Sequence, residues 1–389
     1  MRRAPFLLAV LPVLMAAAPD AGWQQAASER SAPPSLRTDI APTPRPDPGW
    51  QQAVSNRATV APPPLRTEAP PPPMPRPDPR SYGPLKVSFP GGITAAFDVP
   101  YQTLKGYRPL TLDLYQPPPR SYPLPLVVFV HGGGFGGGDS RHAAVFDDLP
   151  ATMAGLAAQG YVVASVNYRL SGEARFPAAV QDVKAAIRFL RGHARDLNLD
   201  VTRAALWGVS TGGQLAALAG ASCGVPLFAP AGAGGESDCV QAVVDWYGPV
   251  EIKTISDVKP AGFNPPPTTE AGDFLGCDPA ACPPGFAKTA SPLSYVTVTS
   301  PPFLIQQGGA DARVPPAQSQ SLQAALKAAN VAAELVVYPG MGHDFTRDGA
   351  TDGATVRQAL EKMAGFLAAT FPPGPIGAKA RPPGRGSVY

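Results

Sequence analysis

The sequence predicts an α/β chain: a mostly parallel central sheet with helices on both faces and a loop-rich insertion. Three observations carry this. Short runs such as Leu126–Val130 and Tyr161–Val166 are apolar and rich in β-branched residues, as strands buried on both faces are. Other stretches place apolar residues at three- and four-residue steps, as Val180, Val183, Ile187 and Leu190 do, which is one face of a helix. The two kinds alternate along the chain, and alternation implies crossover connections between parallel strands. A chain of 389 residues with 44% hydrophobic content is long enough to bury such a core.

The ends read differently from the middle. The 51 prolines gather near them. Residues 1–21 have the form of a signal peptide: Arg2 and Arg3, then an apolar run from Phe6 to Met15, then Ala16–Ala18. That run is too short to span a bilayer as a helix, and Pro12 interrupts it. The expected location is therefore secreted or periplasmic. Residues 22–81 hold a tandem repeat, with Gly22–Ala26 recurring as Gly49–Ala53 and Pro44–Pro48 as Pro75–Pro79. Two Pro-rich copies with few apolar residues cannot build a core, so a disordered tether is expected. The same holds for the tail, 372–389. Residues 82–371 remain as the globular domain. The net charge of +3 is small and spread out, which argues against a nucleic-acid partner. No later segment reaches the length of a transmembrane helix, so no stable membrane insertion is expected.

Within the domain, Lys86–Phe89 and Ile93–Val99 flank Gly91-Gly92 as an opening hairpin, and Leu110–Tyr115 alternates as a half-buried strand. Leu126–Val130 is the central strand, and it ends in a glycine-rich loop, His131–Asp139. A helix near Leu149–Gln159, the strand at Tyr161 and the helix around Val180 follow. Ala204–Trp207 reads as a strand, and Gly213–Ala219 as a helix. Val240–Tyr247 is the next strand. Residues from about 250 to 292 break the rhythm with Pro, Gly and Thr, and form the insertion. Pro302–Gln307, a helix over Ala317–Ala329, Ala333–Tyr338 and a helix from Ala354 to Thr370 complete the domain. Four cysteines allow three pairings; the most economical joins Cys223 to Cys239 and Cys277 to Cys282.

Between the strand at 204 and the helix at 213 stands Gly208-Val209-Ser210-Thr211-Gly212, a G-x-S-x-G turn in the strand–turn–helix setting that exposes a nucleophilic serine. A serine needs a general base. Of the four histidines, His131 belongs to the glycine loop and fits an anchoring role, His142 follows it, and His193 ends a helix. Only His343 lies after the last main strand, in a glycine-flanked loop. The base needs an acid, and Asp311 closes a strand at Gly308-Gly309-Ala310-Asp311; Asp245 is the fallback. An oxyanion needs N–H donors, and Gly133, Gly134 and Thr211 can supply them. Phe135, Trp246 and Tyr247, near strand ends, are the candidate substrate-binding aromatics. No metal and no cofactor is needed for this chemistry.

The motif at His131–Phe135, Asn167–Leu170, the helix from Phe176 to Arg191, the Ser210 turn, Val243–Pro249 and Ala290–Leu293 together resemble the α/β-hydrolase esterases. The likeness is to the bacterial bifunctional feruloyl/acetyl-xylan esterases and the hormone-sensitive-lipase-like group. It covers roughly Tyr82–Phe371. It implies the α/β-hydrolase fold and a serine esterase acting on short-chain acyl or carbohydrate-linked esters. Two rival functions share the fold: a prolyl-oligopeptidase-like serine peptidase and a non-catalytic binding protein. Val209 and Thr211 depart from the lipase-like pattern, which has an acid and an alanine there, and no N-terminal helical cap is evident.

Overall fold

The fold is described from a computed structural model, for residues 85–230, 235–254 and 269–371. The expected signal peptide at 1–21, the repeat at 22–81 and the tail at 372–389 lie outside the described residues, as does 255–268 of the insertion.

Among the described residues, nine strands form one sheet: β1 Leu85–Phe89, β2 Ile93–Gln102, β3 Leu110–Gln116, β4 Leu124–Val130, β5 Val162–Val166, β6 Leu199–Val209, β7 Ala242–Trp246, β8 Phe303–Gly308 and β9 Ala333–Tyr338. Their order across the sheet is β1-β2-β3-β5-β4-β6-β7-β8-β9. From β5 onward every neighbouring pair is parallel. The first three strands add on antiparallel, β3 against β5. The helices are α1 Leu149–Ala158, α2 Ala178–Gly192, α3 Thr211–Ala221, α4 Glu270–Leu275, α5 Phe286–Thr289, α6 Pro316–Ala328 and α7 Gly353–Thr370. The insertion is thus less irregular than its composition suggests: α4, α5 and single turns of tighter helix occupy its described part.

Strand side chains alternate between two cores. Val128, Leu206, Val243 and Ile305 pack under α2, α3 and α6. Val127, Phe129, Trp207, Val244 and Leu304 pack under α1 and α7. Period-two alternation explains the split, and burial on both faces explains why β4 reads as unbroken apolar sequence. Each fully buried aliphatic or Phe side chain contributes roughly 1.5–3 kcal/mol of transfer free energy. Cys223 pairs with Cys239 and Cys277 with Cys282, the economical pairing of the three. Among the described residues, no helix is long and apolar enough to cross a membrane.

From β4 the chain moves to one side, to β5, and then returns past β4 to β6. Such a reversal leaves a crevice at the carboxyl ends of the strands, where ligands of open α/β sheets bind. The loop after β4 and the turn after β6 both open there.

Candidate active site

Ser210 sits between β6 and α3 with φ 54° and ψ −127°, a conformation that costs a non-glycine residue on the order of 1–3 kcal/mol. Tight packing imposes the turn. A β-carbon at Gly208 would strike the carbonyl of Gly212, and one at Gly212 would strike those of Val130 and His131. Glycine on both sides of the serine is therefore a packing requirement of this close approach.

Three side chains meet at this turn. Ser210 Oγ lies 2.8 Å from His343 Nε2, and His343 Nδ1 lies 2.8 Å from Asp311 Oδ2. A carboxylate only accepts, so Nδ1 carries the proton and donates; Nε2 of the neutral ring is then free to accept from the serine hydroxyl. Asp311 is 4% exposed and well supplied with donors. Its Oδ1 accepts from the N–H groups of Arg313 and Val314 at 2.9 and 2.8 Å. Its Oδ2 accepts from Gln307 Nε2 at 3.2 Å as well as from His343. Those bonds hold the carboxylate oriented toward the imidazole.

The loop after β4 lies over the serine turn. Gly133 has φ 114°, and a β-carbon on it would run into the Gly137 carbonyl. The N–H groups of Phe135, Gly136 and Gly137 are committed, to Thr211 Oγ1 at 3.3 Å and to the Gly133 carbonyl at 3.2 and 2.9 Å. Those of Gly133, Gly134 and Thr211 make no hydrogen bond to protein among the described residues. Gly133, Gly134 and Ser210 line one cavity of about 460 Å³, together with Arg141, His142, Asp147, Arg313, His343 and Asp344.

His131 anchors the loop, as its place in the sequence suggests. It is 1% exposed, stacks on Tyr168 at 4.4 Å, and burial lowers its pKa to about 4. A ring that stays neutral in this way holds position without exchanging protons at neutral pH. Tyr168 donates from its hydroxyl to the His131 carbonyl at 3.0 Å. His142 is exposed and pairs with Asp139, and His193 bonds the Phe189 carbonyl at 2.8 Å; neither reaches Ser210.

The three aromatic candidates for substrate contact do not line the cavity. Phe135 is 1% exposed, its ring stacked on Phe274. Trp246 is fully buried between Trp207, Phe146 and Phe345, because its place in β7 turns it into the core under α7. Tyr247 is also fully buried, with its ring edge-on to His343 at 5.0 Å. Their assignment as substrate-binding residues is corrected accordingly.

Sequence reasoning missed other members of the site. Arg141 lines the cavity and is held by the buried Asp113 through Nε and Nη2 at 2.8 and 3.0 Å. Glu270 and Phe274 reach the glycine loop from α4. The apolar–acidic alternation at Leu112-Asp113-Leu114 was a signal for a buried acid in a strand; nothing local marks Glu270 or Phe274.

Fold and site together define an α/β-hydrolase with the serine, histidine and aspartate of the triad arrangement in hydrogen-bonded sequence. More particularly, the chain belongs to the BD-FAE family, whose model matches residues 112–326. It is 34% identical over 241 residues to esterase LipC of Mycobacterium tuberculosis, a stretch covering 60% of this chain and 56% of that protein. The chain thus spans little more than half the length of that relative. Among solved structures, it is similar to a truncated carbohydrate esterase from gut microbiota, with TM-score 0.59, 29% identity and coverage of 74% of this chain and 99% of the other. It is also similar to esterase 2 of Thermogutta terrifontis phosphorylated by paraoxon, with TM-score 0.58, 25% identity and coverage of 74% and 96%.

Proposed function

We propose that this chain is an exported serine hydrolase of carboxylic esters, acting on short-chain acyl or carbohydrate-linked esters. The observation that carries the reading is the relay from Ser210 Oγ through His343 to Asp311, with 2.8 Å at both steps, beside three uncommitted N–H groups. His343 Nε2 takes the serine proton as Oγ bonds to the ester carbonyl carbon. The carbonyl π pair moves onto oxygen, where the N–H groups of Gly133, Gly134 and Thr211 receive it. Each such donor is worth about 10²–10³ in kcat. The tetrahedral species expels the alcohol, which leaves with the proton from Nε2. Water then repeats the sequence on the acyl-enzyme and frees the acid. Asp311 stays ionised and stabilises the imidazolium formed at each transfer.

What surrounds the serine supports the substrate class. Glycine backbone, Arg141, Asp147 and Arg313 give the cavity polar groups for a hydroxyl-rich alcohol, while Ala143, Ala144, Phe146 and Val209 give it an apolar wall for a small acyl group. The similar gut structure is a carbohydrate esterase. Two disulfides suit an oxidising compartment outside the cytosol.

The test is a panel of aryl esters of rising acyl length, acetylated and feruloylated sugars, and dipeptide anilides. Hydrolysis of short aryl and sugar esters, abolished in Ser210→Ala with an unchanged melting temperature, is the expected result. A serine-directed fluorophosphonate should label the wild type and not the variant. Failure of a folded chain to label would leave a binding protein, an optimum at long acyl chains would remove the proposed substrate class, and turnover of anilides alone would mean a peptidase.

A further inference from the structure

The glycine loop carries more strain than its own sequence can hold. Gly133 and Gly134 have φ 114° and 64°, and Phe135 continues at φ 61°. For a bulky residue that left-handed backbone is an outlier, and it persists only where surroundings fix it. Part of the fixing is local: the Phe135 carbonyl accepts from Ser171 N–H at 2.9 Å and Ser171 Oγ at 3.2 Å. The rest comes from the insertion. The rings of Phe135 and Phe274 lie 3.9 Å apart and 10° from parallel, both buried. One turn earlier in α4, the Glu270 carboxyl packs directly on Gly134, so that a β-carbon at Gly134 would fall 2.5 Å from the Glu270 carboxyl carbon. Glu270 also pairs with Arg313, two residues beyond Asp311. The helix is itself tied down. Thr269 Oγ1 accepts from Gly272 N–H at 2.9 Å, the Phe274 carbonyl accepts from Phe176 N–H at 2.8 Å, and the Cys277–Cys282 disulfide follows.

We infer that α4 is the brace of the oxyanion loop, with Glu270 and Phe274 as positioning residues for the Gly133 and Gly134 N–H groups. The inference rests on the reading of Ser210 as nucleophile. Neither residue touches the reacting atoms. Phe274 fixes the backbone through the Phe135 ring, and Glu270 links the loop that receives the oxyanion to the loop that carries the acid. Donors fixed in this way need no reorganisation as charge develops, and a displacement of about 1 Å far from the chemistry can cost on the order of 10²-fold.

The full chain tests this with Phe274→Ala, Glu270→Ala and Glu270→Gln. The measurements are kcat and KM on p-nitrophenyl acetate, and the inhibition constant of an aryl trifluoromethyl ketone. That ketone bonds to Ser210 Oγ, passes the serine proton to His343 and leaves its oxygen as an anion in the same place. We expect kcat to fall about 10- to 100-fold in Phe274→Ala and about 10-fold in Glu270→Ala, with KM within about threefold. Ketone affinity should fall in step with kcat, and Glu270→Gln, which keeps the contact with Gly134, should recover most of the loss. Glu270 is half exposed, so its variants keep the test open if Phe274→Ala does not fold. Unchanged kcat in folded Glu270→Ala, or a loss of kcat without loss of ketone affinity, overturns the brace. Full activity in Ser210→Ala would instead overturn the reading beneath it.

Discussion

Neighbouring strands β7 and β8 each bring an aspartate to the region of the serine turn, and the two are treated in opposite ways. Asp311, after β8, receives four donors and faces His343. Asp245, within β7, is fully buried; among the described residues it accepts only from Gly248 N–H, at 2.9 Å through Oδ1, and Oδ2 has no partner. Burial raises its pKa to about 7, against the smaller opposing effect of that N–H. Donors compensate a buried carboxylate for the water it loses; with a single N–H, desolvation prevails at Asp245 and favours its neutral form. The lesson is that the acid of such a site is identified by its donors rather than by its depth or its nearness to the serine.

The comparison breaks if the two roles exchange under mutation. Asp311→Asn should lower kcat by about 10³–10⁴ with little change in KM, since an amide cannot hold the Nδ1–H tautomer or stabilise its charge. Asp245→Asn should cost less than about tenfold in the same assay. Equal losses would remove the distinction.

A second effect sharpens it through stability. The Asp245 carboxyl is protonated in the fold up to about pH 7, but ionises near the ordinary aspartate value of 3.8 when the chain unfolds. Its contribution is present in full below the unfolded pKa and is lost as pH rises through about 7. Three pKa units correspond to about 4 kcal/mol. Denaturant unfolding of the wild type should therefore lose stability relative to Asp245→Asn between pH 4 and pH 7. A constant difference between the two across that window would contradict the buried, neutral state.

The smallest effect concerns one donor. Gln307 gives Nε2 to Asp311 Oδ2 and to the Val314 carbonyl at 3.1 Å, and its Oε1 accepts from Ser319 Oγ at 2.7 Å. Gln307→Leu should lower kcat about three- to tenfold, the worth of roughly 1 kcal/mol for one hydrogen bond among several. Steady-state kinetics at saturating ester measures it.

Most of the fold was legible because its signals are local. The central strands are apolar on both faces, and the turn around Ser210 has its strand and helix in the adjoining sequence. His343 and Asp311 were legible for a topological reason: both follow strands of a parallel sheet, and such ends converge on one edge. The aromatic residues were not, since a residue at a strand end points to the core or to the crevice depending on pleat and turn. Trp246 and Tyr247 went inward, and Phe135 turned against a ring from the insertion. Glu270 and Phe274 were illegible because their partners, Gly134 and Phe135, are distant in sequence and the insertion has no periodicity to place them.

The bond between Cys223 and Cys239 joins the end of the helix behind Ser210 to the approach of β7, closing a separation of 16 residues. By the chain-entropy estimate, a loop of that size is worth about 3 kcal/mol. A recombinant chain made in a glutathione-rich host would emerge with four free sulfhydryls and without that increment. The choice of expression compartment thus bears on the stability of the fold that holds the Ser210 helix in place.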